Sequence, residues 1–105
     1  MANVKSEHYV VTLSGSAETL PISGGGGKLR WLSLQPGGAN ANPVFVGGPS
    51  LTSVSYGTRL PAASGGIPPA PHVIAEFSDG SVSLHDLYVL GTSSEKLHVH
   101  VLIFV

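Results

Sequence analysis

The sequence predicts an all-β fold, a jelly-roll-like antiparallel β-sandwich of about eight short strands with little or no helix. Three observations carry that prediction. No stretch of about a dozen residues repeats apolar positions at the helical period without a Gly or Pro interrupting it. Runs rich in β-branched and aromatic residues recur with a turn signal every ~8–12 residues. Gly and Pro, at 14 and 8 of 105 residues, supply those turn signals along the whole chain. An open barrel of fewer strands is the structural alternative.

The elements follow in order. Met1 to Glu7 reads as an N-terminal arm, either ordered on assembly by adding to a neighbour's edge or a frayed tail, leaving residues 8–105 as a single sandwich domain. His8 to Ser14 (HYVVTLS) is the first expected strand, ended by Gly15. Glu18 to Ile22 is a short piece that Pro21 confines to an edge or a bend. After the flexible Gly24–Gly27 run comes Lys28 to Gln35, with Leu29 and Trp31 expected on one face and Lys28 and Arg30 on the other. Pro36-Gly37-Gly38 and Asn40-Ala41-Asn42 then turn the chain into the strand Pro43 to Gly47. Leu51 to Leu60 is expected to hold two short strands around Tyr56-Gly57, and Pro61 to Pro71 (PAASGGIPPAP) an irregular loop. His72 to Phe77 and Ser81 to Leu84 flank Ser78-Asp79-Gly80 as a hairpin. Leu87 to Leu90 and Lys96 to Val105 flank Gly91 to Glu95 as a second one.

The last strand is the most informative. Leu97, Val99, Val101, Ile103 and Val105 alternate onto one face, which must be core. The opposite face starts polar at Lys96, His98 and His100 and turns apolar at Leu102 and Phe104. Apolar side chains on the outer face need a cover, either a loop of the same chain or a neighbouring subunit. Leu102 and Phe104, with the aromatics Trp31 and Tyr88, are therefore the candidate interface residues.

Composition narrows the function classes. Charged residues make up 10% of the chain, against about 25% in an ordinary soluble domain. A surface so poor in charge suits contact with other protein. The net charge of -1 and the scattered basic residues give no phosphate-tracking stripe, so nucleic acid is not an expected partner. The chain has no cysteine, which removes disulfides and thiolate metal sites. Its longest apolar run, Val101 to Val105, falls far short of the ~20 residues of a membrane span, and its N-terminus shows no signal-peptide pattern.

Candidate chemistry is thin. His98-Val99-His100 places two imidazoles on one strand face, about 6.5–7 Å apart, as in metal-binding jelly rolls of the cupin type. Such a site adds a carboxylate a few residues on, where this chain has Leu102, Ile103 and Phe104, and a further histidine from another strand. His98 and His100 are thus the candidate metal ligands, with His72 and His85 the available third, but two half-exposed strand histidines explain them better; no metal and no cofactor are expected. No serine sits in a Gly-x-Ser-x-Gly elbow, the pairs Glu76 with Asp79 and His85 with Asp86 lie about turns, and Gly27-Lys28-Leu29 fails the phosphate-loop pattern. The protein is not expected to be an enzyme. Trp31, Tyr9, Tyr56 and Tyr88 could instead line a carbohydrate-binding face.

Several runs together resemble a group of small tailed-phage virion proteins. They are Val11-Thr12-Leu13-Ser14-Gly15-Ser16-Ala17 with Leu20-Pro21, Trp31-Leu32-Ser33-Leu34-Gln35, Pro43-Val44-Phe45-Val46-Gly47, and Asp86-Leu87-Tyr88-Val89-Leu90-Gly91-Thr92. The resemblance implies a jelly-roll-like sandwich that decorates a capsid as a cement protein. It would bind the major capsid protein from outside, as a homotrimer, and brace the shell against internal DNA pressure. It also implies a virion location for a product made in the host cytoplasm. Similar small domains occur in tails and fibres, where a carbohydrate- or receptor-binding role is the alternative.

Overall fold

A computed structural model describes residues 4–20, 28–76, 83 and 86–104. Eight strands are seen: β1 (Val4–Thr12), β2 (Glu18–Thr19), β3 (Leu29–Pro36), β4 (Val44–Gly47), β5 (Thr58–Leu60), β6 (His72–Glu76), β7 (Tyr88–Leu90) and β8 (Lys96–Phe104). They form two four-stranded sheets, sheet A in the order β1-β8-β3-β6 and sheet B in the order β2-β7-β4-β5. Every pairing is antiparallel, and β1 pairs β8, β2 pairs β7, β3 pairs β6 and β4 pairs β5. First with last, second with second-last, and so inward, is the pairing of a jelly roll. The expected fold class is the observed one.

The alternation of β8 decides where the core lies. Leu97, Val99, Val101 and Ile103 are buried on its inner face, together with Leu29, Leu32 and Leu34 of β3. Val44, Val46 and Val89 close the same core from sheet B. With β-branched and leucine side chains filling the inward positions at its centre, the core excludes water between the two sheets and needs no disulfide. At its free edge sheet A carries Lys5 and Glu7 on the inner side of β1, joined at 3.7 Å. Inward-pointing charge on an edge strand discourages pairing with another chain's edge.

Four expectations change. β1 starts at Val4, so Val4 to Glu7 of the expected arm already pair with Val101 to Phe104 of the same chain. Leu29 and Trp31 do not share a face, because the register slips between them: Leu29 stands opposite Ile103 and Trp31 opposite Leu102. The bulge absorbs Arg30 and turns Trp31 outward. The segment 51–60 holds one strand, not two, because Thr52 caps a turn by accepting Val54 and Ser55 amides on its Oγ1 at 3.3 and 2.9 Å. Finally, β7 and β8 are not a hairpin, since they belong to different sheets and Gly91 to Glu95 carries the chain across. The hairpin expected around Asp79 lies outside the described residues.

Within the expected irregular loop 61–71, Ser64 and Ile67 exchange both backbone hydrogen bonds around Gly65 and Gly66. Both glycines have positive φ, 60° and 80°, the geometry of a type I′ turn. One buried side chain fixes this region to the sheet. Asn40 Oδ1 accepts the Lys96 amide at 3.0 Å and its Nδ2 donates to the Lys96 carbonyl at 2.7 Å. Asn40 thus replaces a strand partner at the first residue of β8, and its own carbonyl accepts the Ala63 amide. Asn40→Ala leaves both Lys96 backbone groups short of that partner, and calorimetry should show a loss of about 2–4 kcal/mol. At the sheet-crossing turn, a Cβ on Gly91 would collide with Leu13 Cδ1. Gly91→Ala should therefore cost about 1–3 kcal/mol in denaturant melts.

Candidate assembly surface

Strands β1, β8 and β3 carry the site on the outward face of sheet A, and their register lays it out in rows. Val4 stands opposite Phe104, and Leu102 lies between Ser6 and Trp31. Next comes His100 between His8 and Ser33, then His98 between Val10 and Gln35. Lys96 opposite Thr12 ends the face, its Nζ donating to Thr12 Oγ1 at 2.8 Å. One end is therefore apolar, the middle carries imidazoles, and the far end is cationic.

The two regions meet at His100. Its Nε2 lies 2.9 Å from Ser6 Oγ, and its ring meets Trp31 edge-to-face with centroids 5.1 Å apart. Over the imidazoles lies an open hollow of about 370 Å³, lined by His8, Ser33, Gln35, His98 and His100. A second, of about 400 Å³, lies over the apolar end between Val4, Arg30, Trp31, His100 and Leu102. Gln35 Nε2 donates to the Pro69 carbonyl at 2.8 Å, so the proline-rich loop walls the first hollow.

The structure brings three of the four candidate interface residues together. Trp31, Leu102 and Phe104 share this face, each half-buried. Tyr88 does not join them. It stands on the outer face of sheet B, opposite Gly47 and Thr19, because the inward positions there belong to Val46 and Val89. Its neighbours on that face are Leu90 and Phe45, and the Phe45 ring packs on Tyr56 at 4.9 Å between centroids. The sandwich therefore presents apolar and aromatic groups on both outward surfaces. Trp31 on sheet A and Tyr56, packed on Phe45 of sheet B, cannot form one sugar platform.

His98 and His100 lie on one face, as their spacing requires, and the register adds His8 directly opposite His100. Sequence alone could not supply that third imidazole, because only sheet pairing relates positions 92 residues apart. Among the described residues, however, no three His, Asp or Glu side chains are gathered closely enough to hold a metal ion. His72 is exposed at the β6 edge, and His85 lies outside the described residues. Asp86 caps a turn, accepting the Ser83 amide on Oδ2 at 2.8 Å. Among the described residues no helix is long and apolar enough to cross a membrane.

On the inner side of the edge strand, Tyr9 packs against the core. Burial, helped by the neighbouring Glu7 carboxylate, pushes its phenol up to about 12. The folded chain thus holds this proton more tightly than the unfolded chain, whose tyrosine titrates near 10. Stability supplied by Tyr9 is complete below pH ~10 and is lost as pH rises toward 12. Tyr9→Phe should flatten that alkaline decline in melting temperature while leaving the neutral range largely unchanged.

No protein-family model matches this sequence, and no curated protein matches it. A solved chain from Bacillus endospore appendages, described as a novel family of disulfide-linked pili, superposes with a TM-score of 0.52 at 11% identity. The superposition covers 100% of this chain and 91% of that one. The likeness is one of fold alone.

Proposed function

We propose that this protein is a non-catalytic building block that works by assembly, decorating a tailed-phage capsid as a cement protein. The observation that carries the reading is the outer face of sheet A, where Val4, Trp31, Leu102 and Phe104 form an apolar end on a chain with 10% charge. A continuous apolar patch on a charge-poor surface marks a site that other protein covers. The second cluster, around Phe45, Tyr56 and Tyr88 on sheet B, gives the subunit a different surface for a different neighbour. Two unlike surfaces suit head-to-tail contact around a closed ring, such as a trimer, or contact with a copy on one side and the shell on the other. The phage setting and the major capsid protein as partner rest on the sequence resemblance.

The fold likeness favours a second reading, a subunit of a surface appendage. The pili of that neighbour are disulfide-linked. This chain has no cysteine, so a polymer of it would lack such links. A sugar-binding tail domain has the narrower support of one aromatic, Trp31, beside Arg30 and His100.

Incubation with expanded, empty phage capsids separates these readings: a decoration protein binds them stoichiometrically, an appendage subunit forms filaments alone, and a lectin answers only on a glycan array. Leu102→Asp and Phe104→Asp should each weaken association by about 30-fold or more, the value of a contact hot spot. The isolated fold should remain, because both side chains point away from the core. Wild-type affinity in both variants would remove sheet A from the contact.

A further inference from the structure

We propose that His8 and His100 form a two-imidazole site for a nitrogen-seeking divalent transition-metal ion such as Zn²⁺, which ties the edge strand β1 to β8; the inference stands apart from the assembly reading. The two residues are direct partners across the antiparallel pair. Both are exposed on the outward face, and both line the same hollow of about 370 Å³. Opposed side chains on such a pair have Cβ atoms about 4.5–5.5 Å apart. Two nitrogens on one tetrahedral Zn²⁺, each at about 2.0–2.1 Å from it, lie about 3.3 Å from each other. Rings that start from this Cβ spacing reach that separation by turning about their side-chain bonds, with no movement of the backbone.

A second observation supports the pair: His100 is already held as a ligand histidine is held. Its Nε2 lies 2.9 Å from Ser6 Oγ, and its ring meets Trp31 edge-to-face with centroids 5.1 Å apart. Metal-binding imidazoles commit one nitrogen to such a partner, which fixes the ring and leaves the other nitrogen for the ion. With Ser6 Oγ accepting from Nε2–H, the free lone pair is on Nδ1. His8 supplies the second ligand from the facing strand, and water completes the coordination shell.

The site is open and two-ligated. Among the described residues no three His, Asp or Glu side chains gather closely enough for a closed site. His98 shares the hollow but stands opposite Val10, one row from the pair and about 6.5–7 Å along β8 from His100. Among the described residues the rest of the polar lining is a hydroxyl from Ser33 and an amide from Gln35, with no carboxylate. Ca²⁺ and Mg²⁺ take oxygen ligands, carboxylates above all. Imidazole suits Zn²⁺, Ni²⁺ and Cu²⁺, with Cu²⁺ the tightest. Ligand type therefore makes the site selective.

The test is calorimetric titration of the full chain with ZnCl₂ near neutral pH, with MgCl₂ as the control and circular dichroism confirming the fold of each variant. The wild type should bind one Zn²⁺ and no Mg²⁺, and Zn²⁺ should raise its melting temperature. His8→Gln and His100→Gln should each weaken Zn²⁺ binding at least about tenfold, since even an outer-shell partner of a metal is worth that much. His98→Gln should bind about as tightly as the wild type. Stoichiometric CuCl₂ should quench Trp31 emission in the wild type and in His98→Gln but not in His100→Gln, because the ion sits on the ring that touches the indole. A wild type that binds no Zn²⁺, binding unchanged in His8→Gln or His100→Gln, or binding lost in His98→Gln overturns the site. Each of those results leaves the assembly reading standing, since capsid binding is measured without added metal.

Discussion

The placement of β8 between β1 and β3 is the constraint on which the rest of the molecule depends. One side of this strand is the floor of the core, and the other is the middle of the proposed contact face. A strand has a side-chain period of two, so a slip of one residue would exchange these roles, exposing Leu97, Val99, Val101 and Ile103 and burying two histidines. The register is held at both ends. Asn40 grips the backbone of Lys96 at the start, and the Phe104 amide donates to the Lys28 carbonyl at 2.9 Å near the finish. Between them, four fully apolar inward positions make any other register costly.

The outward face is then a consequence of the same pairing. Because β1 and β8 are matched over nine residues each, His8 is carried to His100 and Val4 to Phe104. The bulge in β3 adds Trp31 to the apolar end, where a regular strand would have placed it in the core with Leu29. The Lys5–Glu7 pair on the inner side of β1 makes that edge a poor template for strand addition. In the proposed assembly the faces, not this edge, meet the neighbours.

Much of this was legible in the residues. The alternation from Lys96 to Phe104 identifies both the core side and the greasy outer end of β8, and the Gly- and Pro-rich punctuation identifies an all-β chain. What could not be read is anything set by partners distant in sequence. Trp31 was misplaced because a bulge leaves no mark in a strand-like run such as KLRWLSLQ. Tyr88 lies apart from Leu102 because the turn from 91 to 95 changes sheets, which the hairpin-like spacing of these two strands does not reveal. Asn40 resembled any loop asparagine until its two-way bond with Lys96 was seen. His8, read as the start of a strand, became a site residue only through its opposition to His100.

In the proposed assembly, association covers the outer face of sheet A. Trp31 is the chain's single tryptophan and stands on that face beside His100 and Leu102, so its emission reports directly on the contact. Titrating the protein to higher concentration, or onto empty capsids, should shift tryptophan fluorescence to shorter wavelength in step with the rise in mass. Association that proceeds with the indole spectrum unchanged would show that another surface makes the contact and that sheet A has no part in it.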